Sequence, residues 1–558
     1  MTRQNDCLGP APSGSGAAGA VRKGAVRARR PPVPRTTPVS GGAGKARRSV
    51  ALLLVALTAC TVGPDYRRPT APVPATYKSL RGWTIAQPMD AAYRGPWWAI
   101  FHDPVLDRLE REVNVSNQTI KQAVAAYSLA VALVQEARAG FFPTAGLNAD
   151  VTRGPGFGTS GRGSSTAGTS STSGIGTSST STSTSTGGGG GGGGGSGGGA
   201  PITQYSIEGT IDWSPDVWGR IRRQVESQVA AAQVSAADLA NARLSAQLTL
   251  AVDYFDMRAE DSLTDLLRQT VAADAAAYRI VHNQYLAGIT ALSNDVTARA
   301  QLESARAELI GVGVQRAIFE HAIAVLTGRP PAELTLSPAP MTNRIPVVPP
   351  GLPSTLLQRR PDIAAAERQM QQENALIGVQ VAAFYPDISL SVLGGFVGSP
   401  LSQLFTAANR VWSLGASASE TLFSGGARSA AVAAARATYD QSVANYRQVV
   451  LTAFQQVEDQ LISLRILAEQ ARAEDAAVVA TKRAVDVLFN QYMAGTVAYT
   501  SVVTEQTALL ANQQAALAVQ QSRLVASVTL ITALGGGWTT GALPTANRIG
   551  GRWDFLRP

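Results

Sequence analysis

Two long stretches in which apolar residues recur with a helical period dominate the chain. They run from Arg220 to Ala287 and from Ala427 to Ala494, and each holds 68 residues without a single Gly or Pro. The chain has 54 Gly and 30 Pro, which break helices, so these gaps predict two continuous helices. At ~1.5 Å per residue each helix would be about 100 Å long. Rods of this length predict a protein that spans a distance.

The composition of the rods indicates which solvent they meet. Their apolar residues are spaced by three or four positions, many of them are alanine, and charged residues separate them. This is the amphipathic pattern of coiled coils rather than of a helix that faces lipid. We therefore expect both rods to extend through water.

Both rods end in nearly the same six-residue motif. The residues from Asn283 to Gly288 read Asn-Gln-Tyr-Leu-Ala-Gly, and those from Asn490 to Gly495 read Asn-Gln-Tyr-Met-Ala-Gly. The motif can be read as a helix stop, because a terminal glycine supplies the left-handed C-cap. It can also be read as a docking tip, because it recurs at the exposed end of each rod. The candidate tip residues are Asn283, Tyr285, Gly288, Asn490, Tyr492 and Gly495.

The chain is an internal duplication. The rod-end motifs are 207 residues apart, and Gly219 matches Gly426 at the same offset. Upstream, Phe142-Pro143 matches Tyr385-Pro386 at 243, so the first copy holds 36 extra residues. They are explained by a Gly/Ser/Thr-rich insertion at 154–200, a composition that cannot bury a core and that we expect to be a disordered loop.

Residues on both sides of that loop alternate with period two. In the first copy Leu147 and Val151 alternate with Asn148 and Asp150, and the second copy aligns in phase. Such alternation over about ten residues is typical of transmembrane β-strands, although a soluble hairpin would show it equally. Four strands cannot close a barrel, and an open edge is not tolerated in lipid. Transmembrane strands would therefore require self-assembly.

The N-terminus has the pattern of an exported protein. Basic residues up to Arg48 precede the apolar run Val50–Leu57, which is too short to span a membrane and is typical of a signal peptide. The following Leu57-Thr58-Ala59-Cys60 closely resembles the bacterial lipobox, in which the cysteine becomes the lipidated first mature residue. The alternative is an ordinary signal peptide. Thr61 stands where an aspartate would indicate inner-membrane retention, so we expect the outer membrane, with the rods in the periplasm.

Charge and cysteine content exclude several classes of protein. The net charge of +9 comes from residues 1–48, and the remainder holds equal numbers of basic and acidic residues, so no nucleic-acid face is expected. Only Cys7 and Cys60 exist, which excludes a disulfide framework and cysteine metal sites. The three histidines lie far apart, and no phosphate-binding loop is present. We expect no catalytic residues, no metal and no cofactor other than a covalent lipid on Cys60.

These patterns divide the chain into successive parts. We predict a mainly α protein with a small transmembrane β part, built from a duplicated unit of strand, strand, long helix and helix. Residues 1–44 are unlike a normal leader, and we hypothesise that translation starts downstream. A proline-rich extended arm without regular structure is expected before a helix that starts at Asp103-Pro104. The predicted parts are a leader and signal peptide at 1–59, an arm at 60–104, repeat 1 at 105–344, repeat 2 at 351–537 and a tail at 538–558.

Specific motifs in these parts resemble a known family. The segment Arg359–Glu367 reads Arg-Arg-Pro-Asp-Ile-Ala-Ala-Ala-Glu, and Phe384–Ile388 reads Phe-Tyr-Pro-Asp-Ile. With Val62–Pro69 after the lipobox and Trp97-Trp98, they closely resemble the outer membrane factor family. These are the TolC-like ducts of tripartite efflux pumps, and the resemblance is to their lipoprotein (OprM/NodT-like) branch. It runs from Leu57 to about Gly537.

The resemblance implies an architecture and partners. It implies a homotrimer with a twelve-stranded β-barrel in outer-membrane lipid and a twelve-helix periplasmic α-barrel. The tips would meet a periplasmic adaptor, which links the duct to an inner-membrane pump of the RND type. The family narrows its tunnel near the tips, often with an aspartate in the second copy. Thr504 occupies that position here, and Glu505 lies one helical residue, or roughly 100°, away.

Three functions remain open at this point. The lipoprotein form and the Arg-Arg-Pro-Asp motif favour a passive exit duct for small toxic compounds or drugs. A duct for type I protein secretion would use the same architecture. A lipid-anchored trimeric surface stalk without a pore would also be consistent with the rods.

Overall fold

The computed structural model describes residues 61–74, 76–78, 96–155, 201–346, 348 and 353–549. The helices of the first copy are α1 (Pro104–Ser116), α2 (Gln118–Ala139), α3 (Arg220–Leu286) and α4 (Leu292–Leu326). Those that follow are α5 (Pro353–Arg359), α6 (Pro361–Ala382), α7 (Ala427–Met493), α8 (Tyr499–Ala533) and α9 (Ala546–Ile549). The strands are β1 (Thr144–Pro155), β2 (Pro201–Trp213), β3 (Asp387–Gly398) and β4 (Arg410–Ser419). The predicted order of strand, strand, long helix and helix is thus present twice.

The two rods are the continuous helices α3 and α7, with 67 residues each. Each starts after a glycine in the left-handed conformation, Gly219 at φ 82° and Gly426 at φ 87°. Each ends one residue short of its predicted span, at Leu286 and Met493. The absence of Gly and Pro therefore predicted both the existence and the length of the rods.

The four strands form one antiparallel sheet in the order β1-β2-β3-β4. The two hairpins have equivalent registers, with Thr144 opposite Asp212 in the first and Asp387 opposite Ser419 in the second. Strand β1 continues to Pro155 and so includes the first two residues of the range assigned to the loop, because it still pairs with β2 there. The cross-strand pairs place most of the apolar residues on one face, and Leu393, Val397 and Val411 lie on the other. The residues of the apolar face include Leu147, Val151, Ile207, Ile211, Val392, Trp412 and Leu414.

The segment before α1 lies along the body as an arm. The Val62 N–H donates to the carbonyl of Trp218 at 3.2 Å, and Gly63 lies so close to Gly378 that a Cβ would meet its Cα at 2.5 Å. Farther along, Arg68 bonds to the Tyr446 hydroxyl on α7 at 3.1 Å. The arm therefore links the start of α3 to α6 and α7.

The expectation that the arm has no regular structure is wrong at one place. Trp97–Phe101 forms a 3-10 helix, whose rings of Trp97, Trp98 and Phe101 are buried. Phe101 packs on Phe255 of α3 with ring centroids 5.0 Å apart, and the Trp97 indole donates to Gln247. Burial of three aromatic rings against α3 stabilises a short helix that the composition did not reveal.

Predicted features at the N-terminus and in the insertion lie outside the described residues. These are the leader, the signal peptide, Cys60 and the Gly/Ser/Thr-rich tract beyond Pro155. The predicted start of α1 at Asp103-Pro104 lies within the described residues and is confirmed. Asp103 caps that helix, because its carboxylate accepts from the N–H groups of Val105 and Leu106.

Helix α1 carries a buried carboxyl that the sequence patterns did not predict. Glu110 is completely buried, like Leu106, Leu109 and Val113 of the same helix. Among the described residues neither of its carboxyl oxygens has a hydrogen-bond partner. Burial raises the pKa of Glu110 to about 9, so the group is neutral at pH 7 in the folded chain.

This carboxyl predicts a pH-dependent stability. The folded pKa lies above the unfolded value near 4.5, so the contribution is complete below about pH 4.5 and is lost as pH rises towards 9. We expect Glu110→Gln to raise the free energy of unfolding at pH 7 to 8 by roughly a few kcal/mol at most. The two proteins should melt alike near pH 4.5.

Thermal unfolding in detergent between pH 4.5 and 8.5 measures the difference. Glu469→Gln, which changes an exposed carboxyl on α7, is the matched control and should leave the curve unchanged. Parallel melting curves of wild type and Glu110→Gln across this range would contradict the assignment of a neutral buried Glu110.

Candidate functional site

The two rod ends have the same backbone geometry. After α3, the Ile289 N–H donates to the carbonyl of Gln284 at 2.8 Å, and after α7 the Thr496 N–H donates to that of Gln491 at 3.0 Å. The glycine in each turn is left-handed, and a Cβ on either would meet nothing within 4 Å. This hydrogen-bond pattern is the Schellman motif. The helix-stop role of Asn-Gln-Tyr-x-Ala-Gly is therefore real, and it leaves both turns open to contact.

The two tyrosines of the motif differ in burial. Tyr492 is only 9% exposed, while Tyr285 is half-buried. The Tyr492 hydroxyl donates to Oε1 of Gln284 at 2.6 Å, which links the end of α7 to the end of α3. Its ring lies 5.1 Å from that of Tyr499 within a cluster that includes Val281 and Val502. Tyr492 thus holds the two rod ends together inside one chain.

The other candidate tip residues lie at the surface. Asn283, Gly288, Asn490 and Gly495 are exposed. The structure also places apolar side chains beside both turns, which the sequence analysis did not select. The sequence feature that could have identified these apolar residues is their position next to the two glycines. They are Leu286 (69% exposed), Ile289 (75%), Leu292 (55%) and Met493 (51%).

Two carboxyls are buried near the same end of the rods. Asp295 is 9% exposed and lies 2.9 Å from Nδ1 of His282. Asp274 is 4% exposed, and burial raises its pKa to about 6. No group of three or more possible metal ligands occurs in the described part of the chain.

The predicted constriction residues lie on α8 close to the turn. Thr504 is exposed, and its hydroxyl donates to the carbonyl of Thr500 at 2.9 Å. Glu505 is half-buried. The two side chains point in different directions around the helix, so they do not form one site within a single chain.

Helix α4 presents an unusual apolar surface. Among the described helices it is the one that is long and apolar enough to cross a membrane by length and composition, and only 17% of its apolar window is buried. That window includes Arg316, whose Nε lies 2.7 Å from the buried Asp261 of α3. The exposed apolar residues of α4 include Ile310, Val314 and Ile318.

Comparison with known proteins connects this architecture to a family. The family described as outer membrane efflux protein matches residues 111–329 and 352–536, which together form well over half of the chain. The chain belongs to the outer membrane efflux protein family. The two matched ranges fall within the two repeats, the arm precedes them, and the low-complexity insertion at 154–200 lies inside the first range.

Full-length relatives share the sequence at a moderate level. The probable efflux pump outer membrane protein TtgC of Pseudomonas putida is 27% identical over 499 residues, which cover 88% of this chain and 96% of TtgC. The cation efflux system protein CusC of Escherichia coli is 28% identical over 488 residues, or 87% of this chain and 97% of CusC. The solved outer-membrane channel OprN superposes with a TM-score of 0.72 at 26% identity and covers 86% and 100% of the two chains.

These findings confirm the predicted class of function. The chain is an outer membrane efflux protein with the mainly helical fold of outer-membrane channels. The family is one of channels rather than of enzymes. The resemblance read from Arg359–Glu367 and Phe384–Ile388 therefore identified the correct family.

The hydrogen bond of Tyr492 predicts that its loss lowers the local stability of the rod ends in this efflux protein. Tyr492→Phe removes the hydroxyl that donates to Gln284, and a hydrogen bond of this kind contributes about 1 kcal/mol. We therefore expect amide hydrogen exchange at residues 490–499 to accelerate roughly fivefold. Hydrogen-exchange mass spectrometry measures the exchange rate of these amides.

Tyr278→Phe is the matched control. Its ring packs beside the same cluster, and within the described residues its hydroxyl makes no hydrogen bond. Equal exchange in both variants would show that the Tyr492 hydroxyl does not hold the rod ends together.

Proposed function

We propose that three copies of this chain form a lipid-anchored exit duct in the outer membrane. The sheet carries the proposal. Its outer strands β1 and β4 have no further partner strand among the described residues, and one of its faces is apolar. Unpaired strand edges are not stable in hydrocarbon. Twelve strands from three copies would remove every edge and place the apolar face against lipid.

The rods supply the periplasmic part of the duct. Three copies contribute twelve helices from α3, α4, α7 and α8, which would continue the barrel as a tunnel. The exposed turns at Gly288 and Gly495, with the apolar residues beside them, would contact a periplasmic adaptor that links the duct to an RND-type pump. Inside the tunnel, the exposed Thr504 with the neighbouring Glu505 would line the constriction near this end.

The proposed cargo of the duct is small toxic molecules and drugs. TtgC is named for an efflux pump and CusC for cation efflux, so relatives of similar identity are named for different cargo. A passive duct explains this variety, because the pump selects the substrate. A wide passive duct needs no specific binding site of its own.

Growth tests in a strain that lacks the gene examine this function. The wild-type chain should restore resistance to a panel of toxic compounds. We expect Asn283→Trp with Asn490→Trp to return resistance to about the level of the deletion strain, because two large side chains at exposed tip positions would block adaptor contact. Single-channel conductance in planar bilayers should remain that of the wild type.

Asp265→Trp places the same side chain at an exposed position farther along α3 and serves as the control. It should retain resistance. Full resistance in the tip variant would overturn the docking role of the tips. A wild-type chain that restores no resistance to any compound would overturn the efflux duct itself.

The lipid anchor rests on Cys60, which lies outside the described residues. The next residue supports the assignment, because Thr61 packs on Gly219 where the sheet passes into α3. A Cβ on Gly219 would lie 2.9 Å from Thr61. In the proposed duct this junction lies at the membrane surface, where a lipid on the preceding cysteine would insert.

Metabolic labelling with radioactive palmitate tests the anchor. We expect Cys60→Ser to abolish labelling completely, because the cysteine sulfur is the acceptor. Cys7→Ser is the matched control and should be labelled like the wild type. Undiminished labelling of Cys60→Ser would refute the lipoprotein assignment.

A further inference from the structure

Rod α7 buries one of its faces under the arm. Tyr446, Val450 and Phe454 belong to a buried cluster that also contains Tyr77 of the arm, and Tyr66 packs against the same cluster. Two tyrosine rings from elsewhere in the chain thus lie beside the rod of repeat 2. The groove along this rod is therefore filled by the protein itself.

The equivalent face of α3 is not filled in this way. The boundaries of α3 and α7 differ by 207 residues, so the covered face of α7 corresponds to the face of α3 that holds Leu239, Arg243 and Gln247. These three residues line a cavity of about 730 Å³, which we call the α3 cavity. Sites for small molecules typically have volumes of roughly 300–1,000 Å³. The α3 cavity is thus large enough for a small organic ligand.

Four parts of the chain enclose the α3 cavity. They are α3, α2, the 3-10 helix at Trp97–Phe101 and the segment that follows α8, from Gly535 to Arg548. The cavity is rich in aromatic side chains for its size, and these are Trp97, Trp98, Trp538 and Tyr127. The wall therefore offers several flat apolar surfaces to a ligand.

Hydrogen bonds hold two of these rings in fixed positions. The Trp97 indole donates to Oε1 of Gln247 at 3.1 Å, and the Trp98 indole donates to Oδ1 of Asp107 at 3.0 Å. The amide of Gln247 in turn donates to Oδ1 of Asn114 at 2.9 Å. The two indole rings meet edge to face with centroids 5.8 Å apart. This part of the wall is formed before any ligand arrives, which lowers the entropic cost of binding.

The segment that follows α8 is fastened to α3 on both sides of the cavity. Gly536 has a left-handed backbone, and a Cβ on it would clash with Leu244 of α3. Farther along, the side chain of Gln233 donates to the carbonyl of Pro544 at 3.0 Å. Ile549 is only 3% exposed, in a cluster with α2 and α3. These contacts place Arg548 next to α3.

The charge of the α3 cavity is positive and unbalanced. Arg243 of α3 and Arg548 of α9 line the cavity, and none of its lining residues is an Asp or a Glu. Both side chains are exposed, and among the described residues neither guanidinium makes a hydrogen bond or an ion pair. Two cations that face one cavity repel each other, and an anion between them is attracted to both. The charge thus selects for an anionic ligand.

We propose that the α3 cavity binds a small organic anion, namely an aromatic carboxylate. Its ring lies against the tryptophans, in the part of the repeat where α7 packs on tyrosine rings. Its carboxylate binds Arg243 and Arg548, because a guanidinium matches the planar geometry of a carboxylate. The ligand links the rod of repeat 1 to the last segment of repeat 2. The site is additional to the passive duct, which needs no binding site for its cargo.

Isothermal titration calorimetry of the full-length protein in detergent tests this site. The probes are 2-naphthoate and its neutral isostere 2-naphthamide, each corrected for titration into detergent alone. We expect naphthoate to bind at least about tenfold more tightly, because a hydrogen bond to a charged group is worth about one order of magnitude in affinity.

Substitution of the two arginines tests the charge. We expect Arg243→Gln and Arg548→Gln each to weaken naphthoate binding about tenfold and to leave naphthamide binding unchanged, because only the anion interacts with the guanidinium groups. Arg279→Gln is the matched control. It removes an exposed arginine from the same rod, 36 residues or about 54 Å away from Arg243, and should change neither affinity.

A variant that fills the cavity tests the location of the ligand. Ala542 is exposed and lines the cavity, so Ala542→Trp adds a large ring there without disturbing a buried contact. We expect this variant to lose the binding of both probes. Its melting temperature should stay within a few degrees of the wild type.

Four results would overturn the site. They are equal affinity for the two probes, full naphthoate affinity in both arginine variants, undiminished naphthoate binding by Ala542→Trp, and a wild-type dissociation constant for naphthoate above about 10 mM. None of these results bears on the proposed duct, because the duct is tested by growth on toxic compounds and not by ligand binding.

Discussion

Backbone hydrogen bonding in hydrocarbon is the constraint on which the duct proposed for this chain depends. A strand edge in lipid leaves N–H and C=O groups without partners, and each such group costs several kcal/mol. In the proposed duct the chain supplies four strands, so the two outer edges of its sheet need strands from other copies. Closure of the barrel would then fix the geometry below the sheet, because each hairpin leads into a rod. The proposed helical wall would take its order from the strands.

The arm connects parts that the sheet alone would leave independent. Its carbonyl oxygens at Val62 and Gly63 accept from the Arg223 guanidinium of repeat 1, while the Pro64 carbonyl accepts from Asn374 of repeat 2. Burial of that guanidinium is tolerated because Asp65 and Glu226 provide ion pairs at 2.9 and 2.8 Å. The arm is thus part of the join between the repeats, close to where the sheet passes into the rods.

Sequence patterns predicted the long-range plan better than the local details. The absence of Gly and Pro predicted both rods to within one residue, and alternation predicted the strands, because backbone chemistry and periodicity are local signals. The repeated tip motif was found, but the full burial of Tyr492 and the half-burial of Tyr285 could not be predicted from two nearly identical motifs. Their difference arises from packing between repeats. The buried Glu110 and the 3-10 helix at Trp97–Phe101 likewise depend on tertiary contacts that no short segment encodes.

The buried Arg223 packs on Gly378 of repeat 2, and this contact has a consequence for the route of assembly. Joining two repeats in one polypeptide makes that contact a unimolecular event, whose effective concentration does not depend on how much protein the cell makes. In the proposed ring, half of the joints therefore form while each chain folds, and only the other half require encounters between copies. Duplication followed by divergence thus converts a six-body assembly into a three-body one with a defined order of units.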